Sequence, residues 1–176
     1  IDQILSKINV KLSIFILGSG DRLIQEELQL VSEKYPEKFA VFFGYNEDLA
    51  HQVYAASDML LMPSRVEPCG LNQLYALKYG TIPIVRGIGG LKDTVIDVKE
   101  VDGYGFVFDE ASVDDVVEAV WRALELIEKE KQKSIAKGLD IYSSIKDRNK
   151  FEDILYEILF KYKEALHNII DENNIS

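Results

Sequence analysis

The segment Pro63-Ser64-Arg65-Val66-Glu67-Pro68-Cys69-Gly70-Leu71-Asn72-Gln73-Leu74 concentrates the chemistry of this chain. It sets a charged pair, two prolines and a glycine directly behind the apolar run Met59 to Met62, the arrangement of a ligand-facing loop at the end of a buried strand. Pro68 suits the entry to a helix, where its missing N–H is no loss. The amides of Cys69, Gly70 and Leu71 are then expected to point free toward the sheet edge, where they serve hydroxyl or phosphate oxygens. Glu67 stands immediately before them, placed to accept hydrogen bonds from sugar hydroxyls or to favour developing positive charge. The plain alternative is an ion pair with Arg65.

Two further turns repeat the strand, glycine, helix order. Gly18-Ser19-Gly20 follows the run Leu12 to Leu17, so its amides and the next helix dipole can receive a phosphate or sugar oxygen. It is a poor dinucleotide fingerprint, because the third glycine of G-x-G-x-x-G would fall at Leu23, and a tight turn explains it equally well. Gly87-Ile88-Gly89-Gly90-Leu91 follows the run Ile82 to Val85. Two such turns on one sheet edge would line a cleft with oriented N–H groups suited to a diphosphate.

Other chemically capable residues read more plainly. Cys69 has no His and Asp arrangement to make it a nucleophile and reads as a site-lining thiol. His51 orients the helix Leu49 to Ala56 or lines the cleft; the other histidine, His167, lies in the distant tail, and no metal site is expected. The pairs Glu47-Asp48 and Asp114-Asp115 fall near helix starts, where carboxylates suit the dipole.

The positioning elements follow from hydrophobic periodicity. Runs at Leu12 to Leu17, Phe39 to Phe43, Met59 to Met62 and Ile82 to Val85 are too short for helices and read as buried strands. Between them lie helical spacings: Leu23, Glu27, Leu28 and Val31; Leu49, Val53 and Tyr54; Leu74, Leu77 and Tyr79. The alternation predicts an α/β fold, a parallel sheet covered by helices with ligands at the strand carboxyl ends. After Gly105-Phe106-Val107-Phe108 come long helices, from Ser112 to about Lys137 and from about Asn149 to Asp171, with Ser112 and Asp114 as caps and a loop over Gly138 to Arg148. The aromatic residues of the last helix, Phe151, Tyr156, Phe160 and Tyr162, are spaced for packing. Ile4, Leu5 and Ile8 put a helix ahead of the first strand, so a doubly wound domain is expected to lack a preceding strand here.

Composition bounds the function classes. The 176 residues suit a single domain, 1–176, and 47% hydrophobic with 28% charged residues suits a globular core. Twenty Lys plus Arg against thirty Asp plus Glu leave a net charge of −10, which argues against nucleic acid as a partner. No apolar run approaches the ~20 residues that span a bilayer, and the start Ile1-Asp2-Gln3 lacks a signal-peptide pattern. With one cysteine excluding a disulfide framework, a cytoplasmic chain with no membrane partner is expected.

The blocks Glu67-Pro68-Cys69-Gly70-Leu71, Gln73-Leu74-Tyr75-Ala76-Leu77-Lys78-Tyr79-Gly80-Thr81-Ile82-Pro83 and Gly89-Gly90-Leu91-Lys92-Asp93-Thr94-Val95 resemble bacterial glycogen synthase and plant starch synthase. The resemblance extends through Leu17-Gly18-Ser19-Gly20-Asp21, Gly44-Tyr45, Leu49-Ala50-His51 and Ala56-Ser57-Asp58-Met59, roughly residues 12 to 108. It implies the C-terminal Rossmann-like domain of a two-domain GT-B glycosyltransferase. That family transfers glucose with retention from ADP-glucose to the 4-hydroxyl of an α-1,4-glucan end, without metal or other cofactor.

By the same matching, Glu67 is the catalytic carboxylate against the glucose ring, and the amides of Cys69, Gly70 and Leu71 meet its hydroxyls. Gly44 and Tyr45 flank the adenine, Tyr45 offering a stacking face, while Ser64 lies close to the nucleotide. Gly89 and Gly90 shape the turn beside the sugar diphosphate, and Gly18 belongs to the donor side. Asn72 stands where the family usually has a phosphate-contacting Thr, and Gly87-Ile88 replaces the usual Arg-Thr. The Arg and Lys that stabilise the departing diphosphate, and most acceptor-binding groups, correspond to sequence upstream of Ile1. The 176 residues alone are therefore expected to be catalytically inert and to bind nucleotide weakly. The alternatives are a noncatalytic nucleotide-binding or interaction module, and another GT-B transferase using a UDP-sugar. In the latter a carboxylate often takes the place of Tyr75, so tyrosine favours the synthase reading.

Overall fold

The computed structural model describes residues 1–142 apart from Lys11, with side chains described through Lys129. The chain divides into two compact units, 1–125 and 126–176. All strands of the described residues lie in the first unit. The elements run α1 Asp2–Lys7, β1 Ile14–Gly18, α2 Arg22–Lys34, β2 Phe39–Phe43, α3 Glu47–Ala56, β3 Met59–Met62, α4 Asn72–Tyr79, β4 Ile82–Arg86, α5 Gly89–Thr94, β5 Phe106–Phe108 and α6 Val113–Tyr142. The architecture is the expected α/β alternation, and every ladder is parallel. Parallel strands joined by crossover helices bring their carboxyl ends, and the turns that follow them, to one edge.

The ladder differs from a single continuous sheet. β1 pairs with β2 in one sheet, and β3, β4 and β5 pair in order in another. The crossover through α3 carries the chain from β2 to β3 without adding a strand to β1, so β1 and β3 each keep one unpaired edge.

Burial is uneven in consequence. The three-stranded sheet holds the dense core, where Met62, Val85, Leu91 and Val95 pack with Leu60 and Val107. No residue of α2 is buried, and Leu23, Ile24 and Leu30 stay exposed.

Local signals set the helix ends. Asp21 caps α2 by accepting from the amides of Leu23 and Ile24, and Asn46 caps α3 by accepting from Leu49. At α6 the Ser112 hydroxyl caps the helix by accepting from the Asp115 amide, and it donates to the Asp115 carboxylate. The expected second cap, Asp114, instead takes the Lys7 ammonium of α1. α6 also runs past Lys137, through Gly138 to Tyr142, because one glycine costs a helix only about 1 kcal/mol and Ala136, Lys137 and Leu139 favour it. The rest of the expected loop, the helix Asn149 to Asp171 and its aromatic residues lie outside the described residues.

Buried Thr81, at the foot of β4, shares its one hydroxyl proton between the carbonyls of Tyr54 and Ser57 and so anchors the end of α3 beneath the sheet. Thr81→Val keeps the shape and leaves those carbonyls without this donor. A loss of about 1–2 kcal/mol in urea unfolding is expected; an unchanged midpoint would mean the hydroxyl adds nothing.

Candidate active site

The parallel registers bring the candidate residues into two groups. Gly18 ends β1 opposite Phe43 of β2, and the Gly44 amide donates to the Gly18 carbonyl at 3.0 Å, so the Gly18 turn and the 44–46 turn are adjacent. Gly44 sits at φ 150°, which favours glycine. Tyr45, next to it, is 87% exposed and presents an open ring face. The turn 18–20 holds no tight packing of its own: a side chain at Gly18 or Gly20 would meet nothing within 4 Å. Asp21 occupies amides of the following helix start, so that terminus is already capped and is not the open anion seat expected from the sequence.

The second group follows β3 and β4, where Met62 stands opposite Val85. Residues 63–71 form an irregular loop, with Arg86 donating to the carbonyls of Arg65 at 3.4 Å and Asp109 at 3.1 Å. Glu67 is half-buried and accepts from the Ser64 hydroxyl at 3.4 Å, so two of the candidates meet directly. Among the described residues no ion pair joins Arg65 to Glu67, which removes the plain alternative for this carboxylate.

The helix start differs from expectation. α4 begins at Asn72 with Leu71 at the N-cap position, four residues beyond Pro68. Gly70 takes a left-handed φ of 72°, which breaks the helical path and postpones the helix until after it. No hydrogen bond of the described residues uses the amides of Cys69, Gly70 or Leu71. The first-turn amides of Asn72 and Gln73 are equally unengaged, and Leu71 provides no side-chain cap. The result is a run of unpaired N–H groups beside a half-buried carboxylate.

The glycine turn 87–90 serves this loop more than it serves a ligand. The Gly90 amide donates to the Glu67 carbonyl at 3.1 Å, Gly87 donates to Phe108, Ile88 to Arg86 and Leu91 to Ile88. Of these amides only that of Gly89 is unengaged, so the cleft lined with N–H groups from both turns is not formed: the second turn has spent its donors on the backbone. A Cβ at Gly89 would lie 1.9 Å from the Glu67 carbonyl oxygen, and one at Gly90 would lie 2.0 Å from that of Cys69. Only glycine permits that approach.

One polar residue of this arrangement was not singled out from the sequence. Gln73 is fully buried, its Nε2 within hydrogen-bond reach of the carbonyls of Cys69 and Gly70 and of the Thr94 hydroxyl. The signal was present: Gln73 precedes buried Ala76 by one helical turn, so a polar residue occupies the inward stripe of α4. His51 lies back from the rim, its Nδ1 3.1 Å from the Tyr79 hydroxyl and its ring edge-on to Tyr75, which joins α3 to α4. Burial, aided by the neighbouring Tyr75 phenol, pushes the Tyr54 phenol up in the same cluster. Cys69 is exposed. Among the described residues no three His, Cys, Asp or Glu side chains gather closely enough to hold a metal ion, and no helix is long and apolar enough to cross a membrane. An apolar hollow of about 190 Å³, lined by Ile4, Pro63, Arg65, Phe108 and Val116 among others, contains none of the candidate residues.

A parallel α/β unit whose glycine turns and acidic loop follow the strand carboxyl ends defines a class of fold, the Rossmann-like unit. The profile of the family "Glycosyl transferases group 1" matches residues 1–138, and the chain belongs to that family. Among curated proteins it is 55% identical over 116 residues to the glycogen synthase of Flavobacterium johnsoniae, covering 66% of this chain and 24% of that one. It is 47% identical over 129 residues to the glycogen synthase of Koribacter versatilis, covering 72% of this chain and 27% of that one. The chain thus spans about a quarter of the length of these relatives. Among solved structures, the catalytic domain of Starch Synthase IV from Arabidopsis thaliana bound to ADP and acarbose superposes with a TM-score of 0.62 at 35% identity, over 68% of this chain and 26% of that one.

Proposed function

We propose that this chain is the donor-binding part of a glycogen or starch synthase, holding ADP-glucose for retaining transfer of glucose to the 4-hydroxyl of an α-1,4-glucan end in the cytoplasm. The observation that carries the reading is the run of unengaged amides at Cys69, Gly70 and Leu71 beside half-buried Glu67. The glycogen synthase relatives and the ADP-bound starch synthase neighbour support it.

In this reading Tyr45 stacks on the adenine, its exposed ring needing no rearrangement to do so. Glu67 accepts hydrogen bonds from glucose hydroxyls and favours positive charge developing at the anomeric carbon, with Ser64 steadying its carboxylate. The amides of Cys69, Gly70 and Leu71 donate to the glucose hydroxyls, and Asn72 offers its side-chain amide to a phosphate oxygen. Gly89 and Gly90 act by letting the loop approach, and Gly18 forms the wall beside Gly44. The cations that complete leaving-group stabilisation, and the groups that bind the acceptor glucan, belong in this reading to the remainder of a longer protein. The 176 residues bind donor and do not turn it over.

Calorimetric titration of the 176-residue chain with ADP-glucose, ADP, UDP-glucose and NAD tests this. ADP-glucose and ADP are expected to bind, and the other two to bind more weakly. Tyr45→Ala should weaken ADP and ADP-glucose alike, by roughly tenfold for a lost stacking platform. Glu67→Ala should weaken ADP-glucose by about tenfold and leave ADP nearly unchanged, because its partner is the hexose. Preference for UDP-glucose would overturn the donor assignment, and absence of binding to every nucleotide would overturn the reading itself.

A further inference from the structure

We propose that Gln73 is the positioning residue of the donor loop: it holds the Cys69 and Gly70 carbonyls inward and thereby turns the Gly70 and Leu71 amides outward. The inference rests on the reading of that loop as the seat of the donor's hexose.

The argument begins with the peptide unit. In a planar trans peptide the C=O and the following N–H point in opposite directions. The Cys69 carbonyl and the Gly70 amide share one such plane, and the Gly70 carbonyl and the Leu71 amide share the next. Whatever draws both carbonyls to one side therefore presents both amides on the other. Gln73 Nε2 lies 3.3 Å from the Cys69 oxygen and 2.9 Å from the Gly70 oxygen, and it is the one side-chain donor that reaches either carbonyl among the described residues. The Gly70 and Leu71 amides then engage nothing, as the orientation requires.

Gln73 is itself fixed from the other side. Its Nε2 is 3.0 Å from the Thr94 hydroxyl, which in turn donates to the Gly90 carbonyl. α5 thus reaches the donor loop by a second route, beside the Gly90 amide on the Glu67 carbonyl. Two Nε2 protons shared among three acceptors suit a clamp. The other end of the amide, Oε1, is buried and meets no protein donor among the described residues. The fit also depends on Gly70: a Cβ there would lie 2.6 Å from Oε1, so glycine at 70 and glutamine at 73 are one device.

The test compares the wild-type 176-residue chain with Gln73→Met, which keeps the length and loses both donors, and with Thr94→Val, which removes the second anchor from outside the loop. Thr94→Ser is the conservative control. Calorimetry with ADP-glucose and with ADP is read beside NMR hydrogen exchange of the Gln73 carboxamide and the Gly70 and Leu71 amides. In the wild type the carboxamide protons should exchange slowly and the two main-chain amides at nearly unprotected rates. Gln73→Met should weaken ADP-glucose on the order of tenfold or more while changing ADP by less than about threefold. Thr94→Val should shift in the same direction by a smaller factor, and Thr94→Ser should restore wild-type values.

Equal losses for both ligands would reduce Gln73 to a structural residue, and unchanged affinities would overturn the proposal outright. If Gln73→Met does not fold, the Thr94 pair and the wild-type exchange rates decide, and rapid exchange of the Gln73 carboxamide overturns it. A wild type that binds neither ligand defeats the functional reading instead, while the exchange pattern still decides what Gln73 does to the loop.

Discussion

Gly90→Ala and Gly89→Ala are expected to destabilise the first unit by about 3 kcal/mol or more each, a large share of the roughly 5–15 kcal/mol that holds a domain folded. In both cases the obstacle is main chain. The added methyl at residue 90 falls 2.0 Å from the Cys69 oxygen and that at residue 89 falls 1.9 Å from the Glu67 oxygen, so no side chain can swing aside to relieve the overlap. At Gly89 the φ of 50° adds a left-handed strain of about 1 kcal/mol. Relief requires the 87–90 turn to part from the 63–71 loop, which breaks the hydrogen bond from Gly90 to Glu67 and carries the carboxylate away with it. On the proposed function, ADP-glucose binding should therefore fall below detection in any fraction that remains folded. Urea unfolding of both variants beside Gly20→Ala checks the claim. Gly20 is exposed with open space around it, so its alanine variant should stay within about 0.5 kcal/mol of wild type. If Gly90→Ala unfolds at the same urea concentration as Gly20→Ala, the close approach of the two turns is wrong.

A comparable loss is expected from Arg122→Met, for a reason remote from the loop. Arg122 of α6 meets both carboxylate oxygens of Asp97, at 3.0 and 3.1 Å, donates to the Val107 carbonyl at 2.9 Å, and lies over the Phe106 ring at 5.3 Å. Asp97 in turn accepts the Val107 amide. The pair is largely withdrawn from solvent, its side chains 17% and 15% exposed. It locks α6 onto β5, and β5 supplies the Phe108 carbonyl on which Gly87 rests. Removing one partner of such a pair leaves a charge without compensation, so Arg122→Met should cost about 3 kcal/mol.

The same pair gives a pH dependence. Burial alone would raise the Asp97 carboxyl, but the amides of Val107 and Lys99 and the Arg122 guanidinium outweigh it and hold the group below the ordinary carboxylate value. A carboxyl with a depressed folded-state pKa stabilises the fold fully above its unfolded value of about 3.9, and that contribution disappears as pH falls through the folded value. The stability gap between wild type and Asp97→Asn should accordingly be constant near neutrality and close below about pH 4. Denaturant unfolding across that range measures it, and a gap that widened in acid would contradict the assigned sign.

How far the sequence reached depended on the range of each interaction. β2 and β3 fell on the limits of their apolar runs, and β1 and β4 lay within two residues of theirs, because a buried parallel strand is apolar on both faces and declares itself locally. The cap at Ser112 was equally local. The loop 63–71 stood out by composition alone. Asp114 misled because adjacent carboxylates look alike in sequence, while Lys7, which takes it, is contributed by a distant helix.

By itself the sequence determined the α/β class, the strands that carry the turns, and the family. Tertiary structure alone decided which main-chain groups remain available. Gly70 in a left-handed conformation displaced the helix start from Pro68 to Asn72, and Gly90 gave its amide to Glu67. Gln73 became the buried partner of two loop carbonyls. A backbone amide carries no trace in the sequence of whether it is paired. Its partner is chosen when two turns meet, and that meeting is fixed by the register of β3 against β4 and by glycines with no Cβ to keep the chains apart.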